Sequence, residues 1–190
     1  MNVYDFDGTI YNGDSSIDFY VYCLKKNKKI ILYLPKQMLG IIKYKLGKIS
    51  KTEMKAAFFS FLNEIDQIDE TVKNFWDIHQ KKMMKWYFDQ KKDSDLIISA
   101  SPEFLLREIC EREHITHLIA SDVDKYTGVF YSENCHDKMK VVYFKEKFPN
   151  GTVYEFYSDS KSDEPMARIA NKAFLVKRGA ICSWSVGGDL

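Results

Sequence analysis

The chain lacks most features that would fix its class at a glance. It carries no charge excess: 28 Lys and Arg stand against 27 Asp and Glu over 190 residues. With no global field to draw a polyanion, nucleic acid is not an expected partner. Its four cysteines, Cys23, Cys110, Cys135 and Cys182, show no metal-ligand spacing, so reduced thiols are the expectation. No apolar run reaches the roughly 20 residues that a membrane span needs. Too few residues precede Asp5 for a secretory leader, and the cytoplasm is the expected compartment. Repeats and low-complexity segments are missing as well. Glycine and proline are scarce from Ile17 to Asp89, where only Pro35, Gly40 and Gly47 occur. What remains is a chain long enough for one sizeable core plus an appendage, with 15% aromatic residues, a composition that folds rather than stays disordered.

The stretch that organises the rest is Asp5-Phe6-Asp7-Gly8-Thr9-Ile10. Asn2-Val3-Tyr4 leads into it as a first strand. Two carboxylates with one residue between them cannot point the same way on a strand and stay ionised cheaply, but at the strand's end, where Gly8 lets the backbone turn, they can converge on one spot. Like charges that close raise a pKa or take up a cation, and a hard divalent ion such as Mg²⁺ suits carboxylate and carbonyl oxygens. The alternative is a plain surface Asp-Gly turn. It leaves unexplained why a strand delivers two acids.

From Ile17 to about Asp89 the apolar spacing is helical, with breaks at Asn27, Pro35, Gly40, Gly47 and 63–69. We read three to five helices inserted after the first strand, with Asp14 or Ser15 capping the first. Beyond, strands alternate with helices: Asp95–Ser99, a helix from Pro102, His117–Ser121, a hairpin over 122–131, a helix over 138–148, a strand from Thr152 to Tyr157, a helix over 164–171 and a last strand at 173–176. That alternation predicts an α/β fold with a parallel sheet. Ligands in such sheets bind beyond the carboxyl ends of the strands, and Asp5, Ser99 and Asp159 each stand at such an end.

These segments resemble the haloacid dehalogenase superfamily of phosphatases. Asp5-Phe6-Asp7-Gly8-Thr9 matches its first motif, Ser99 the second, Lys140 the third, and Asp159-Ser160-Lys161-Ser162-Asp163 the fourth. The resemblance implies a Rossmann-like core, residues 1–13 and 93–190, with a helical cap, residues 14–92, inserted after the first strand. It implies a Mg²⁺-dependent phosphomonoester hydrolase with Asp5 as nucleophile and Asp7 as general acid and base. Ser99 and Lys140 would hold the phosphoryl group, and Asp5, the Asp7 carbonyl, Asp159 and Asp163 would form the metal site. Lys138 stands close to Lys140, but Lys140 directly precedes Val141-Val142. Asp137 fills a position where related sequences carry Gly. Ser101 either adds a second hydroxyl near the phosphate or caps the helix after Pro102, the cap being the preferred reading; His136 is expected to sit at the rim, and His114 and His117 to be solvated or packed.

Within the superfamily the chain is similar to the phosphoserine-phosphatase-like branch. Asp14 and Ala100 then join Ser99 and Lys140 in substrate binding, although Ser99-Ala100-Ser101 replaces that branch's Ser-Gly-Gly. It also resembles bacterial phosphatidylglycerophosphate phosphatases at 157–163 and at Lys177-Arg178-Gly179. The partner is therefore a phosphorylated small molecule or a lipid headgroup. A non-catalytic phosphate sensor is the competing class, disfavoured because each catalytic position is filled. The lysine-rich stretch 25–51 can lie on anionic lipid as a basic amphipathic helix. The preferred reading is a cap helix whose apolar face packs inward while its lysines stay wet.

Overall fold

The computed structural model describes residues 1–185. Strands Val3–Tyr4 (β1), Leu96–Pro102 (β2), His117–Ser121 (β3), Val153–Ser158 (β4), Ala170–Lys177 (β5) and Ala180–Ser183 (β6) form one sheet in the order β3-β2-β1-β4-β5-β6. All neighbours run parallel except β5 and β6. The period-2 alternation of a strand sorts the side chains onto two faces. Tyr4, Ile97 and Tyr157 point into one buried cluster, while Val3, Leu96, Ile98 and Phe156 point into the other. The chain is thus an α/β protein with a Rossmann-like, mostly parallel sheet.

Between β1 and β2 lie five α-helices: Ser15–Lys26 (α1), Leu34–Lys45 (α2), Lys51–Phe59 (α3), Ile68–His79 (α4) and Lys85–Gln90 (α5), with a 3-10 turn over Lys28–Tyr33. They do not close a core of their own. Phe19, Phe75, Trp76 and Tyr87 bury themselves with Tyr4, Phe6 and Leu105 in a single cluster. The Trp76 indole donates to the Leu105 carbonyl at 2.7 Å. Glu103–Arg112 (α6) follows β2, and Lys138–Lys147 (α7) and Glu164–Ile169 (α8) cover the other face.

Several local expectations give way. β2 runs through Pro102, with a register shift after Ile98, so the helix begins at Glu103. The 122–131 segment is a loop closed by one antiparallel bridge, Val123 with Phe130, not a hairpin of two strands. Asn171 belongs to β5, because pairing with β4 stops α8 at Ile169. β6 was not foreseen. A tight turn with Arg178 and Gly179 both at positive φ folds it back on β5, the geometry of a two-residue hairpin. Gly40 does not interrupt α2. It lets α2 approach α3 so closely that a Cβ there would stand 2.8 Å from the Ala57 Cβ. Of the C-terminal stretch, Trp184 packs into the second cluster, and Gly187 and Gly188 lie outside the described residues.

Candidate active site

The register of the three central strands builds the site. Tyr4 is level with Ile97 and Tyr157, so Asp5, Ser99 and Asp159 all emerge just past the paired positions. The Asp5 amide still donates to the Tyr157 carbonyl at 2.9 Å. Gly8 then turns the chain at φ +71°, and a Cβ there would collide with the Asp159 carboxylate at 2.2 Å. A glycine is required on both counts. Thr9 bonds across the gap: its hydroxyl donates to Asp5 Oδ2 at 3.3 Å and accepts the Asp159 amide at 2.9 Å.

Behind these acids lies a buried cation. Lys140, 1% exposed, donates from Nζ to Asp5 Oδ1 at 2.6 Å and to Asp163 Oδ2 at 2.7 Å. Ser158 adds a hydroxyl to the same Asp163 oxygen at 2.7 Å. Burial opposes the lysine's charge, but the two ion pairs prevail and hold its pKa above the ordinary value. Asp5 is pushed up to about 7 because burial outweighs its attraction to Lys140. Lys138 makes none of these contacts among the described residues. The turn that delivers Lys140 carries Asp137 at φ 54° and ψ −130°, backbone that favours glycine.

Asp7 faces the insert. Its Oδ1 accepts the Ser15 amide at the start of α1 at 2.6 Å, and its Oδ2 accepts the Ser101 hydroxyl at 2.5 Å. Ser101 therefore does not cap the following helix; α6 has no side-chain cap. Burial, then the nearby Asp14, push Asp7 up to about 6. Asp14 caps α1, accepting the Ile17 amide at 2.9 Å. Ser99 is buried and accepts the Ser101 amide at 3.0 Å. Asp159 opens to solvent, yet burial of its carboxyl and then Asp163 raise its pKa. Among the described residues no three His, Cys, Asp or Glu side chains converge on one point.

These groups floor a cavity of about 570 Å³. Its other wall comes from the insert and is largely apolar: Ile17 of α1, Ile41 of α2, and Met54 and Phe58 of α3. Lys55 of α3 reaches across to the core, donating to the Ala100 carbonyl at 2.7 Å and to Asn134 Oδ1 at 3.1 Å. Burial, then Lys51, lower its pKa to about 8. Lys51 donates to His136 Nε2 at 2.8 Å, which requires a neutral imidazole, and burial and Lys51 lower the His136 pKa accordingly. His136 lines the cavity as expected of a rim residue. His114 and His117 lie away from it: His114 is exposed and His117 packs edge-on against Phe148 at 5.6 Å. Lys55, Thr9 and Ser158 were not singled out in the sequence. Thr9 stood inside the first motif, whereas nothing distinguishes Lys55 from its many neighbouring lysines.

The model of the haloacid dehalogenase-like hydrolases matches residues 3–168. A histidinol-phosphatase of Neisseria meningitidis serogroup C is 24% identical over 212 residues, covering 95% of this chain and 91% of that protein. A crystal structure of a protein of unknown function from Bordetella pertussis Tohama I superposes with a TM-score of 0.74 at 16% identity, over 93% of this chain and 89% of its own. A phosphoserine phosphatase solved as an analogue of its phospho-aspartyl intermediate gives a TM-score of 0.56 at 15% identity, over 90% and 83%. The two structural likenesses speak for the fold.

Proposed function

The chain belongs to the haloacid dehalogenase-like hydrolases, and from that premise we propose that it is a phosphatase that cleaves phosphomonoesters through a covalent phosphoryl group on Asp5. The observation that carries this reading is the Lys140 bridge between Asp5 and Asp163 beneath an open cavity. A cation fixed under a carboxylate is what an in-line attack on a phosphate dianion needs, because repulsion between the two anions is otherwise the barrier. The phosphoserine phosphatase caught with a phospho-aspartyl analogue supports the same role for an aspartate here.

In the first step an Asp5 oxygen forms a bond to phosphorus as the ester P–O bond breaks. Asp7 gives its proton to the leaving oxygen. In the second step Asp7 takes a proton from water as that water attacks the phosphoryl group and releases Asp5. A carboxyl raised to about 6 suits both halves of that cycle. The Ser15 amide and the Ser101 hydroxyl orient it. Ser99 and Lys140 hold the phosphoryl oxygens, beside the Ala100 backbone.

The donor set fits Mg²⁺. Asp5 and Asp159 offer hard carboxylate oxygens, the Asp7 carbonyl is adjacent, and an ion that keeps several waters needs few protein ligands. Asp7 contributes its backbone and not its side chain, which Ser15 and Ser101 occupy. Asp163 is engaged by Lys140 and Ser158 and acts by holding them. When bound, the ion would neutralise charge on the acids and the phosphate. On this reading residues 14–92 form the cap over a core of 1–13 and 93–190.

For substrate we propose a phosphomonoester with an apolar portion, since Ile17, Ile41, Met54 and Phe58 face the phosphoryl floor. Both a phosphometabolite and a phospholipid headgroup meet that description. Phosphoserine fits less well, because the Asp14 carboxylate is used as a helix cap. Hydrolysis of p-nitrophenyl phosphate tests the reading: it should require Mg²⁺ and disappear in Asp5→Asn. Activity that survives the substitution refutes the nucleophile.

A further inference from the structure

Within the insert, α2 turns its apolar side outward. The inner face of α2 is polar or bare. Gln37 is buried, accepting from the Tyr20 hydroxyl at 3.1 Å and donating to the Phe58 carbonyl at 2.9 Å, and Gly40 lies on Ala57. Leu34, Met38, Ile42 and Leu46 recur every fourth residue, share one face and are all exposed, Leu46 at 64%. Leu39 widens the stripe, and Ile31 and Leu32 of the preceding 3-10 turn extend it, Leu32 at 74% exposed. The expected inward packing of this apolar face is therefore reversed. Contiguous apolar surface of this kind marks an interaction site.

The flanking charge selects the occupant. Residues 25–51 hold nine lysines and no acid, and all of these lysines except Lys51 are exposed. A second copy of the chain would set the same lysines against one another. An anionic bilayer accepts both features at once: apolar side chains enter the acyl boundary while lysines meet the headgroups. We propose that the outer face of α2 and the turn before it dock on an anionic membrane surface. The cavity opens beside this face, because Ile41 of α2 and the exposed Ile17 of α1 line it. The substrate is then a phosphomonoester presented at the bilayer surface. That second half rests on the phosphatase reading; the docking does not.

The test is co-sedimentation of the full chain with vesicles of phosphatidylcholine, alone or mixed with phosphatidylglycerol, at low and high salt. Binding is expected only with the anionic lipid. It should fall by at least about tenfold in the combined Met38→Gln, Leu39→Gln, Ile42→Gln variant, and in high salt. That variant should hydrolyse p-nitrophenyl phosphate at the wild-type rate, which reports an intact fold. A wild type that does not bind anionic vesicles overturns the proposal. So does a concentration-dependent dimer that the triple substitution abolishes, or binding to neutral vesicles of equal strength. Vesicle binding by a chain without phosphatase activity would keep the docking surface and discard the substrate assignment.

Discussion

The carboxyl edge of the sheet and the outer face of α2 break the same rule in opposite directions. At the sheet edge, charged groups are buried: Lys140, Asp5 and Asp163 are withdrawn from water and survive because each pairs with another. On α2 and at its C-terminal end, apolar groups are left wet: Met38, Leu39, Ile42 and Leu46 keep about half or more of their surface in water. Buried charge and exposed apolar surface both cost stability. The difference lies in what completes each region. The buried cluster sets two carboxylates against one lysine, and the charge left over calls for a further cation before a phosphate can enter. The exposed stripe has no partner within the described chain.

That contrast can be pressed, starting with the largest effect. Asp5→Asn should keep the fold and lower kcat for p-nitrophenyl phosphate by at least about a thousandfold, read in a steady-state assay with Mg²⁺. Lys140→Met should lose activity and also destabilise the protein by about 3–5 kcal/mol, since two buried carboxylates are left without a cation. Chemical denaturation measures it, and adding Asp5→Asn to the same chain should recover part of the loss. On the insert the scale is different: Met38→Gln and Ile42→Gln should each shift stability by no more than about 0.5 kcal/mol, whereas Trp76→Ala, in the buried cluster, should cost about 3–5 kcal/mol. Equal losses at Met38 and Trp76 would show that the α2 face is covered after all.

Two smaller effects sharpen the picture at the seam between these regions. Lys55 links α3 to the core, and its pKa is lowered to about 8 by burial and then by Lys51. It is cationic below that pH and neutral above, so inhibition by inorganic phosphate should weaken several-fold as pH rises through about 8. Lys55→Arg should flatten that profile, because the guanidinium stays charged. Asp137→Gly should stabilise the protein by about 1 kcal/mol, since φ 54° with ψ −130° strains any residue with a Cβ; a thermal melt reads it.

The two regions also differed in how far the sequence revealed them. Acids and a serine at the ends of apolar runs announced that Asp5, Ser99 and Asp159 would meet, because parallel strands must bring their carboxyl ends together. Lys140 was preferred over Lys138 through the family resemblance, in which the lysine stands directly before an apolar pair. The stripe on α2 was visible as a spacing, but spacing does not say which side faces the core. That depended on Gly40 meeting Ala57 and on Gln37 finding two partners inside, contacts made across helices distant in sequence. Ser101 was assigned to a cap because the turn after β2 was placed too early; with the strand running to Pro102, its hydroxyl reaches Asp7 instead. Lys55 was illegible for a plainer reason: one lysine in a lysine-rich insert carries no local mark.

The central claim is that Asp5 takes the phosphoryl group, and mass analysis of acid-quenched enzyme tests it most directly. Chain mixed with a phosphomonoester and Mg²⁺ should gain one phosphoryl group on the peptide holding Asp5, and none when Mg²⁺ is chelated beforehand. Turnover with that peptide always unmodified, and the label found on another residue or nowhere, would contradict the account.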